Sequence, residues 1–215
     1  MPLRPTTRTY GQVKSSVRRI FGDEAAVQLD DNDIQQWVND AQTAIVAKNH
    51  TLKAVSTTTS VEGQASYSFP SPLIAQVTSI LYDGALLENL DISSAQERIS
   101  TSDPQQTDSG TPTVWYEWAG EFVLYPKPDA AKEIKLFYTR YPTPISGSDD
   151  QLLDVPDKYF QAVVDYCLWK SYELDEDWQA AQIKEGHFRS ALEEQSEEER
   201  EAAHLTYPVI QEVGW

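Results

Sequence analysis

The sequence predicts an α+β fold: a four-helix bundle, made from N- and C-terminal helical pairs, with an inserted antiparallel β domain and an extended C-terminal tail. Apolar residues recur with a helical period near both ends of the 215-residue chain. Between them, short runs rich in Val, Thr, Tyr and Phe alternate with polar residues and are separated by Gly, Pro, Asn and Asp. The predicted boundaries are residues 1–50 and 150–203 for the bundle, 51–149 for the β domain and 204–215 for the tail.

Two helices are predicted at the N-terminal end. Thr9 and Gln12 have the spacing of a capping box, an apolar stripe follows them, and Gly22 suits the left-handed residue that ends a helix. The second helix is expected to begin in the acidic cluster 30–33, where carboxylates accept free amide hydrogens and suit the helix dipole. It is expected to end at residues 49–50.

The middle of the chain predicts a small antiparallel sheet or sandwich of about five to seven strands. Asp83-Gly84 is the strongest hairpin signal, because both positions of a two-residue turn favour residues that tolerate positive φ. A second hairpin is expected around Ala119-Gly120, and a further strand over residues 133–141. Residues 93–112 show no periodicity and are expected to form a long loop, with one helical turn after Ser93.

Two more helices are predicted after the β region. Pro156 suits the first turn of a helix, and a wide apolar face continues to Leu174. The acidic residues 175–177 are expected to break this helix and to cap the next one, which extends to about Ala203 with a sparser apolar stripe. The remaining segment contains Pro208 and is apolar and aromatic, which predicts a tail.

The composition excludes several classes of protein. Lys and Arg number 17 against 34 Asp and Glu, a formal charge of −17. Sequence-specific binding of DNA or RNA is not expected, because it relies on basic side chains. The single cysteine, Cys167, cannot form an internal disulfide. The apolar runs are far shorter than the roughly 20 residues that span a bilayer, so no membrane association is expected.

The charge is unevenly distributed along the chain. Residues 1–21 carry five basic side chains and no acidic one, whereas residues 171–201 carry eleven acidic and three basic ones. If copies of the chain pack together, a basic element of one copy can lie against an acidic element of its neighbour. The alternative is that both are solvated helical faces.

The sequence contains no pattern associated with catalysis. His50, His187 and His204 lie far apart, so no metal-ligand spacing is present. Cys167 lies on the apolar face of a predicted helix, where a thiol behaves as a small hydrophobe. Neither a nucleophile elbow nor a phosphate-binding glycine loop occurs. We therefore expect no catalytic residue, metal site, cofactor or enzymatic activity; a hydrolase that uses pairs of Asp or Glu is the remaining enzymatic alternative.

The hairpin around Ala119-Gly120 is unusually aromatic. Strand alternation places Trp115 on one face and Tyr116 with Trp118 on the other, and we expect Tyr116 and Trp118 to contact the core. The alternative is a carbohydrate-binding module, in which Trp115, Trp118 and Tyr125 would be exposed and stack on sugars.

The order of elements and several phrases resemble a known family. An acid-capped helix, LDDNDIQQWVNDAQTAIVAKN, precedes the β phrases SILYDGALLENL and GTPTVWYEWAGEFVLYPKPDAAKEIKLFYTRYP. The chain then returns through DVPDKYFQAVVDYCLWKSYELDED to a long helix. This layout, over about residues 10–195, resembles the head-to-tail adaptor (connector or neck) proteins of tailed bacteriophages.

The resemblance implies a structural function in the neck of a virion assembled in the cytoplasm of a bacterial host. It implies a self-assembled ring, commonly of twelve copies, between a portal protein and a tail or nozzle protein. DNA would pass through the ring without specific binding, and an excess of carboxylates in the channel would repel its backbone.

The resemblance also suggests roles for the charged helices and the tail. The expected subunit interface joins a basic set on the first helix to an acidic set on the last: Arg8, Lys14, Arg18 and Arg19 with Glu193, Glu194, Glu197 and Glu198. The expected portal-docking residues are Leu205, Tyr207, Pro208, Val209, Ile210 and Trp215. The alternative for the tail is that it folds back on its own domain.

Overall fold

The computed structural model describes residues 6–102 and 108–206, with the backbone alone for 100–102 and 196–206. The chain divides into two compact units. The helical unit takes the chain up to Leu52 and from Pro142 onwards, and the β unit runs from Lys53 to Tyr141. The fold class is α+β, as predicted.

Five helices are present in the described part of the chain. They are α1 (Tyr10–Phe21), α2 (Asp31–Asn49), α3 (Ile92–Ser102), α4 (Phe160–Leu174) and α5 (Trp178–Thr206). Among these described helices, none has the combination of length and hydrophobicity that a membrane span requires.

The predicted ends of α1 and α2 are confirmed, because each is set by a local cap. Thr9 and Gln12 form the capping box of α1, and Gly22 ends that helix at φ 93°. Asp30 caps α2 by accepting the amide hydrogen of Asn32, and His50 ends it in the left-handed region.

The helical unit is organised around α4, which packs against α1, α2 and α5. Their apolar faces form one core. Helix α1 runs parallel to α4, since the Arg8 guanidinium lies 4.7 Å from the Phe160 ring centroid at one end and Phe21 lies 5.4 Å from Tyr172 at the other. Helix α5 runs antiparallel to α4, because Tyr166 of α4 contacts Phe188 at a centroid distance of 5.0 Å while Tyr172 precedes the turn into α5.

Two ends in the C-terminal half differ from the prediction. A single 3-10 turn, Asp157–Tyr159, follows Pro156, so α4 itself starts at Phe160. Helix α5 continues to Thr206, three residues beyond the expected end at Ala203. Leu205, expected in the tail, therefore lies in the helix, and residues 207–215 lie outside the described part of the chain.

The β unit contains more strands than predicted, because several are only two or three residues long. They are β1 (Lys53–Thr59), β2 (Ser66–Ser68), β3 (Ile74–Tyr82), β4 (Ala85–Leu86), β5 (Glu88–Asn89), β6 (Ser109–Gly110), β7 (Val114–Trp118), β8 (Glu121–Tyr125), β9 (Lys127–Pro128) and β10 (Glu133–Arg140). Two four-stranded sheets have the orders β1-β10-β3-β4 and β2-β8-β7-β5, and β6 pairs with β9. The pairing is antiparallel except between β5 and β7 and between β6 and β9.

The two four-stranded sheets share one core. Ile134 and Leu136 of β10 contribute from one sheet, and Phe122 and Leu124 of β8 contribute from the other. Both predicted hairpins are confirmed: Asp83 and Gly84 have φ of 48° and 82°, and Ala119 and Gly120 have φ of 53° and 79°. These left-handed pairs join β3 to β4 and β7 to β8.

The expectation of a long loop over residues 93–112 is wrong. Its first part forms α3, in which the Asp91 carboxylate accepts the amide hydrogens of Ser93 and Ser94. Ala95 and Ile99, four residues apart on one face, are buried, and α3 contacts β7. The abundance of Ser, Gln and Thr conceals this short apolar face in the sequence.

The predicted faces of the aromatic hairpin are also wrong. Trp115 is 2% exposed and lies in the β core opposite Leu124, whereas Trp118 is 60% exposed and Tyr116 is half-buried. Val114, on the face opposite Trp115, is buried as well. Both faces of β7 are therefore buried at Val114 and Trp115, and α3 contacts this strand. Trp118 lies beside the turn at the other end of the strand.

Candidate subunit-assembly surface

Arg18, expected at a subunit interface, is buried inside its own subunit. Its Nη1 lies 2.6 Å from Oδ2 of Asp23, and its Nη2 contacts Oδ1 of Asp31 at 2.6 Å and the carbonyl of Leu29 at 2.8 Å. Its guanidinium therefore fastens the loop between α1 and α2 to the last turn of α1.

Asp23 is the acidic centre of the same network. Its carboxylate accepts the backbone amide hydrogens of Val27, Gln28 and Leu29 in addition to the Arg18 bond. The hydrogen bond from the Leu29 amide, followed by those from Val27 and Gln28 and by the nearby Arg18 charge, holds the pKa of the Asp23 carboxyl below its usual value.

Lys14 is also used within the subunit. Its Nζ lies 2.7 Å from Oδ1 of Asp149 and 3.3 Å from Oδ2 of Asp31. The hydrogen bond to the Asp149 carboxylate raises the pKa of Lys14 above its usual value. Because Asp149 lies in the segment that precedes α4, this pair connects the two halves of the helical unit.

Arg8 and Arg19 are the exposed members of the basic set. The Arg8 guanidinium lies over the Phe160 ring, and the Arg8 backbone is held because its amide donates to the Asp157 carboxylate. Arg19, in the last turn of α1, forms no ion pair with a residue in the described part of the chain. Of the four cations, Arg19 is therefore the best placed to meet a partner.

The predicted acidic partners lie on α5. Glu193 and Glu194 are exposed, and Glu197 and Glu198 belong to the part of α5 described by its backbone alone. Leu192 is hydrogen-bonded through its carbonyl to Asn49, whose amide also donates to Tyr159, so this part of α5 lies beside the beginning of α4. Arg19 lies at the opposite end of the helical unit.

A second acidic group lies at the same end as Arg19. Asp175, Glu176 and Asp177 form the turn between α4 and α5, and all three are exposed. Asp177 accepts the amide hydrogen of Ala180 and so caps α5. The sequence predicts this turn as a helix break and as the cap of the next helix, and Asp177 confirms the cap.

Exposed apolar side chains accompany this acidic turn. Trp178 is 66% exposed, Leu174 is 58% exposed and Ile183 is 52% exposed. The buried stripe of α5 follows Ala181, Phe188 and Leu192. The exposure of Ile183 can therefore be predicted from the sequence, because Ile183 is two residues from Ala181 and so lies on the opposite side of the helix.

The predicted portal-docking residues fall mostly beyond the described residues. The backbone of Leu205 lies in α5, while Tyr207, Pro208, Val209, Ile210 and Trp215 lie outside the part of the chain that the structure describes.

Two residues considered above for a functional role, Cys167 and Trp115, are buried and not accessible at the surface. The Cys167 thiol is fully buried, and burial raises its pKa. No group of His, Cys, Asp and Glu among the described residues has the geometry to hold a metal ion. Trp115 is in the core, so Trp115, Trp118 and Tyr125 do not form the exposed sugar-stacking surface that a carbohydrate-binding module would require.

The helices in the described part of the chain present charged and apolar faces at the surface, as a structural subunit that packs against other proteins does. A model of the SU10 adaptor protein family matches residues 8–211. The chain therefore belongs to the SU10 adaptor family, a family of bacteriophage head-to-tail adaptors, and is a structural component of the virion. No curated protein matches the chain.

Proposed function

We propose that this chain assembles into a ring of twelve copies in the neck of the virion, between the portal protein and the tail or nozzle protein. DNA passes through the ring without specific binding, and the ring is assembled in the cytoplasm of the bacterial host. The observation that carries this proposal is the family match over residues 8–211, because it takes in both the helical and the β unit. The protein acts as a connector and not as an enzyme, and it uses no cofactor.

In this ring, α1, α2, α4 and α5 act as a four-helix bundle that packs beside its neighbours. Lys14 and Arg18 stabilise the subunit itself, because their partners Asp149, Asp23 and Asp31 belong to the same chain. Arg8 and Arg19 remain as the basic candidates for the interface, with the acidic α5 of the neighbour as their partner.

The C-terminal residues attach the ring to the portal. Their supporting feature is composition: residues 205–215 include Leu205, Tyr207, Val209, Ile210 and Trp215, an apolar and aromatic segment in a chain that is otherwise strongly acidic. Carboxylates that face the channel repel the DNA backbone, so the genome slides without adhering.

The proposal is tested by mixing the purified chain with purified portal protein and measuring particle mass by mass photometry, with negative-stain images of the same sample. We expect portal particles that gain the mass of about twelve copies of the 24.3 kDa chain. A chain that never adds to portal particles would refute the proposal.

Removal of residues 207–215 tests the docking segment in the same assay. We expect the truncated chain to keep the unfolding midpoint of the full chain and to lose attachment to the portal. Removal of residues 1–5 is the matched control and should leave attachment unchanged. Attachment by the chain that lacks residues 207–215 would show that the segment has another use.

A further inference from the structure

Helix α5 has an outer face that its own subunit does not cover. Ile183 is half-exposed, and Gly186 and Ser190 follow it on the same face, opposite the buried stripe of Ala181 and Phe188. A Cβ added at Gly186 would meet no atom within 4 Å. A glycine in a helix interior weakens the helix relative to alanine, and nothing in the subunit requires one here.

Helix α1 has a similar uncovered face. Gln12, Ser15 and Arg19 are exposed on the side opposite the buried residues Tyr10, Val13 and Val17. Ser15 and Ser16 are small, so another helix can approach closely at this point. Arg19 supplies a cation at the end of the face.

The two faces belong to different sides of one subunit. Helix α4 packs against both α1 and α5, and α1 otherwise packs against α2. Two different surfaces that fit one another on separate copies give a head-to-tail contact, which closes into a ring when the rotation between neighbouring copies divides a full turn. This geometry suits the ring proposed above and rests on that proposal.

The direction of the helices fixes the register of the contact. Helix α1 is parallel to α4 and α5 is antiparallel to it, so α1 of one copy meets α5 of the next in antiparallel orientation when the helices run along the ring axis. Rotation about the ring axis relates one copy to the next without shifting it along the axis, so equivalent groups of neighbouring copies lie at the same height. Phe21 contacts Tyr172 near the turn into α5, so Arg19 lies level with the first turns of α5.

This register brings complementary groups together. In this register the long side chain of Arg19 would extend towards the acidic turn formed by Asp175, Glu176 and Asp177, where Leu174 and Trp178 are also exposed. Each helix rises about 1.5 Å per residue, so Ser16 and Ser15 lie about 5–6 Å further from the turn than Arg19 does, beside the part of α5 that carries Ile183 and Gly186. Glu193 to Glu198 lie at the other end, beyond the reach of Arg19.

We propose that the occupant of the α5 face is α1 of a second copy of this chain, held by Arg19 on the acidic turn 175–177 and by close packing of Ser15 and Ser16 on Ile183 and Gly186. The complementary charge supports this choice: Arg19 and the three acidic residues of the turn form no ion pairs with other described residues of their own chain. This contact replaces the pairing of Arg19 with Glu193–Glu198 as the subunit interface.

The experiment measures ring formation on portal particles by mass photometry, with the full-length chain. We expect Arg19→Glu to reduce the decorated fraction by about tenfold or more, because it places like charges together, and Glu176→Arg in the same chain to restore it. We expect Gly186→Leu to block assembly by filling the space that the neighbour occupies. Lys48→Glu and Gln36→Leu, at exposed positions of α2 outside both proposed faces, are the matched controls and should assemble normally.

Folding is checked separately from assembly. Gly186 is exposed and a Cβ at this position meets open space, so the circular dichroism of Gly186→Leu should match that of the wild type and its unfolding midpoint should equal or exceed it. A Ser15→Cys, Gly186→Cys double variant should give a ladder of covalent multimers on mild oxidation in assembled rings, and either single variant should not extend beyond dimers.

The outcomes separate the two proposals. Rings that form normally with Arg19→Glu and Gly186→Leu, and no ladder in the cysteine pair, would overturn this interface while leaving the ring intact. A wild-type chain that forms no ring with portal would overturn the proposed function itself.

Discussion

At the scale of single residues, the charged groups of the helical unit fall into two kinds. Arg18 and Lys14 are surrounded by carboxylates of their own chain and hold α1 to the segments that follow it. Arg19, the next residue after Arg18, points away from that network and is exposed. Neighbouring arginines in one helix therefore serve different purposes, because a helix turns each successive side chain by about 100°.

The Asp23 network predicts a specific response to acid. The pKa of the Asp23 carboxyl is lower in the folded chain than in the unfolded one, so its stabilising contribution is complete above the unfolded value of about 3.9. That contribution is lost as the pH falls through the folded pKa. We expect Asp23→Asn to lower the free energy of unfolding at pH 7 and to reduce its further loss between about pH 5 and pH 2, measured by urea unfolding.

Glu24→Gln is the control for that measurement, since Glu24 is adjacent and exposed. It should leave both the stability at pH 7 and the acid response close to those of the wild type. If Asp23→Asn lost as much stability on acidification as the wild type does, Asp23 would not be the group responsible.

At the scale of elements, the two hairpin turns use the same backbone with different residues. Asp83 and Ala119 both occupy the first position of a left-handed pair, followed in each case by glycine. Asp suits this conformation because its short polar side chain bonds locally, whereas the Cβ of Ala crowds the following carbonyl. The turn between β7 and β8 is therefore the less favourable of the two.

Replacement of Ala119 should relieve that cost. We expect Ala119→Asn to raise the free energy of unfolding of the β unit by about 0.5–1 kcal/mol, measured by urea unfolding and by hydrogen exchange in β7 and β8. Asp83→Ala is the reciprocal change and should lower it. A destabilising effect of Ala119→Asn would mean that the turn is set by contacts beyond its own backbone.

Local signals explain which elements could be predicted from the sequence. The caps at Thr9, Gly22 and Asp30 and the turn at Asp83-Gly84 act within a few residues, so these ends were predicted well. Helix α3 was missed because its short apolar face is buried by tertiary contacts, among them the contact with β7, that no local pattern reveals.

The candidate site was harder to predict, because partners distant in the chain decide it. Lys14 is paired with Asp149, far along the sequence, and no local pattern indicates that contact. The faces of the aromatic hairpin were misassigned because both faces of β7 are buried at its start, Val114 on one and Trp115 in the β core on the other. The exposed Ile183 could have been recognised from its offset to the buried stripe of α5.

At the scale of the whole molecule, the chain has two separate cores. One contains residues of α1, α2, α4 and α5, and the other contains residues of the two four-stranded sheets. The family match over residues 8–211 takes in both. Each unit therefore has its own apolar interior from which most of its stability derives.

Core truncations should act on one unit at a time. We expect Phe122→Ala, at a fully buried position, to reduce the stability of the β unit by about 3–5 kcal/mol. Hydrogen exchange should accelerate in residues 53–141 and stay unchanged in α1, α2 and α4 while the β unit remains folded. Val38→Ala is the reciprocal variant in α2, and equal losses of protection in both units from either change would contradict the separation.

The pairing of β1 with β10 also bears on how the helical unit folds. The β unit interrupts the chain between α2 and α4 with about 90 residues, yet Lys53 lies opposite Thr139, close to the point where the chain returns. An unstructured connection of that length would cost the helices about 3 kcal/mol more in closure entropy than a connection of a few residues. Once β1 and β10 have paired, the whole insertion behaves as a short connection between the helices. Early pairing of these two strands therefore makes docking of α4 on α1 and α2 more favourable.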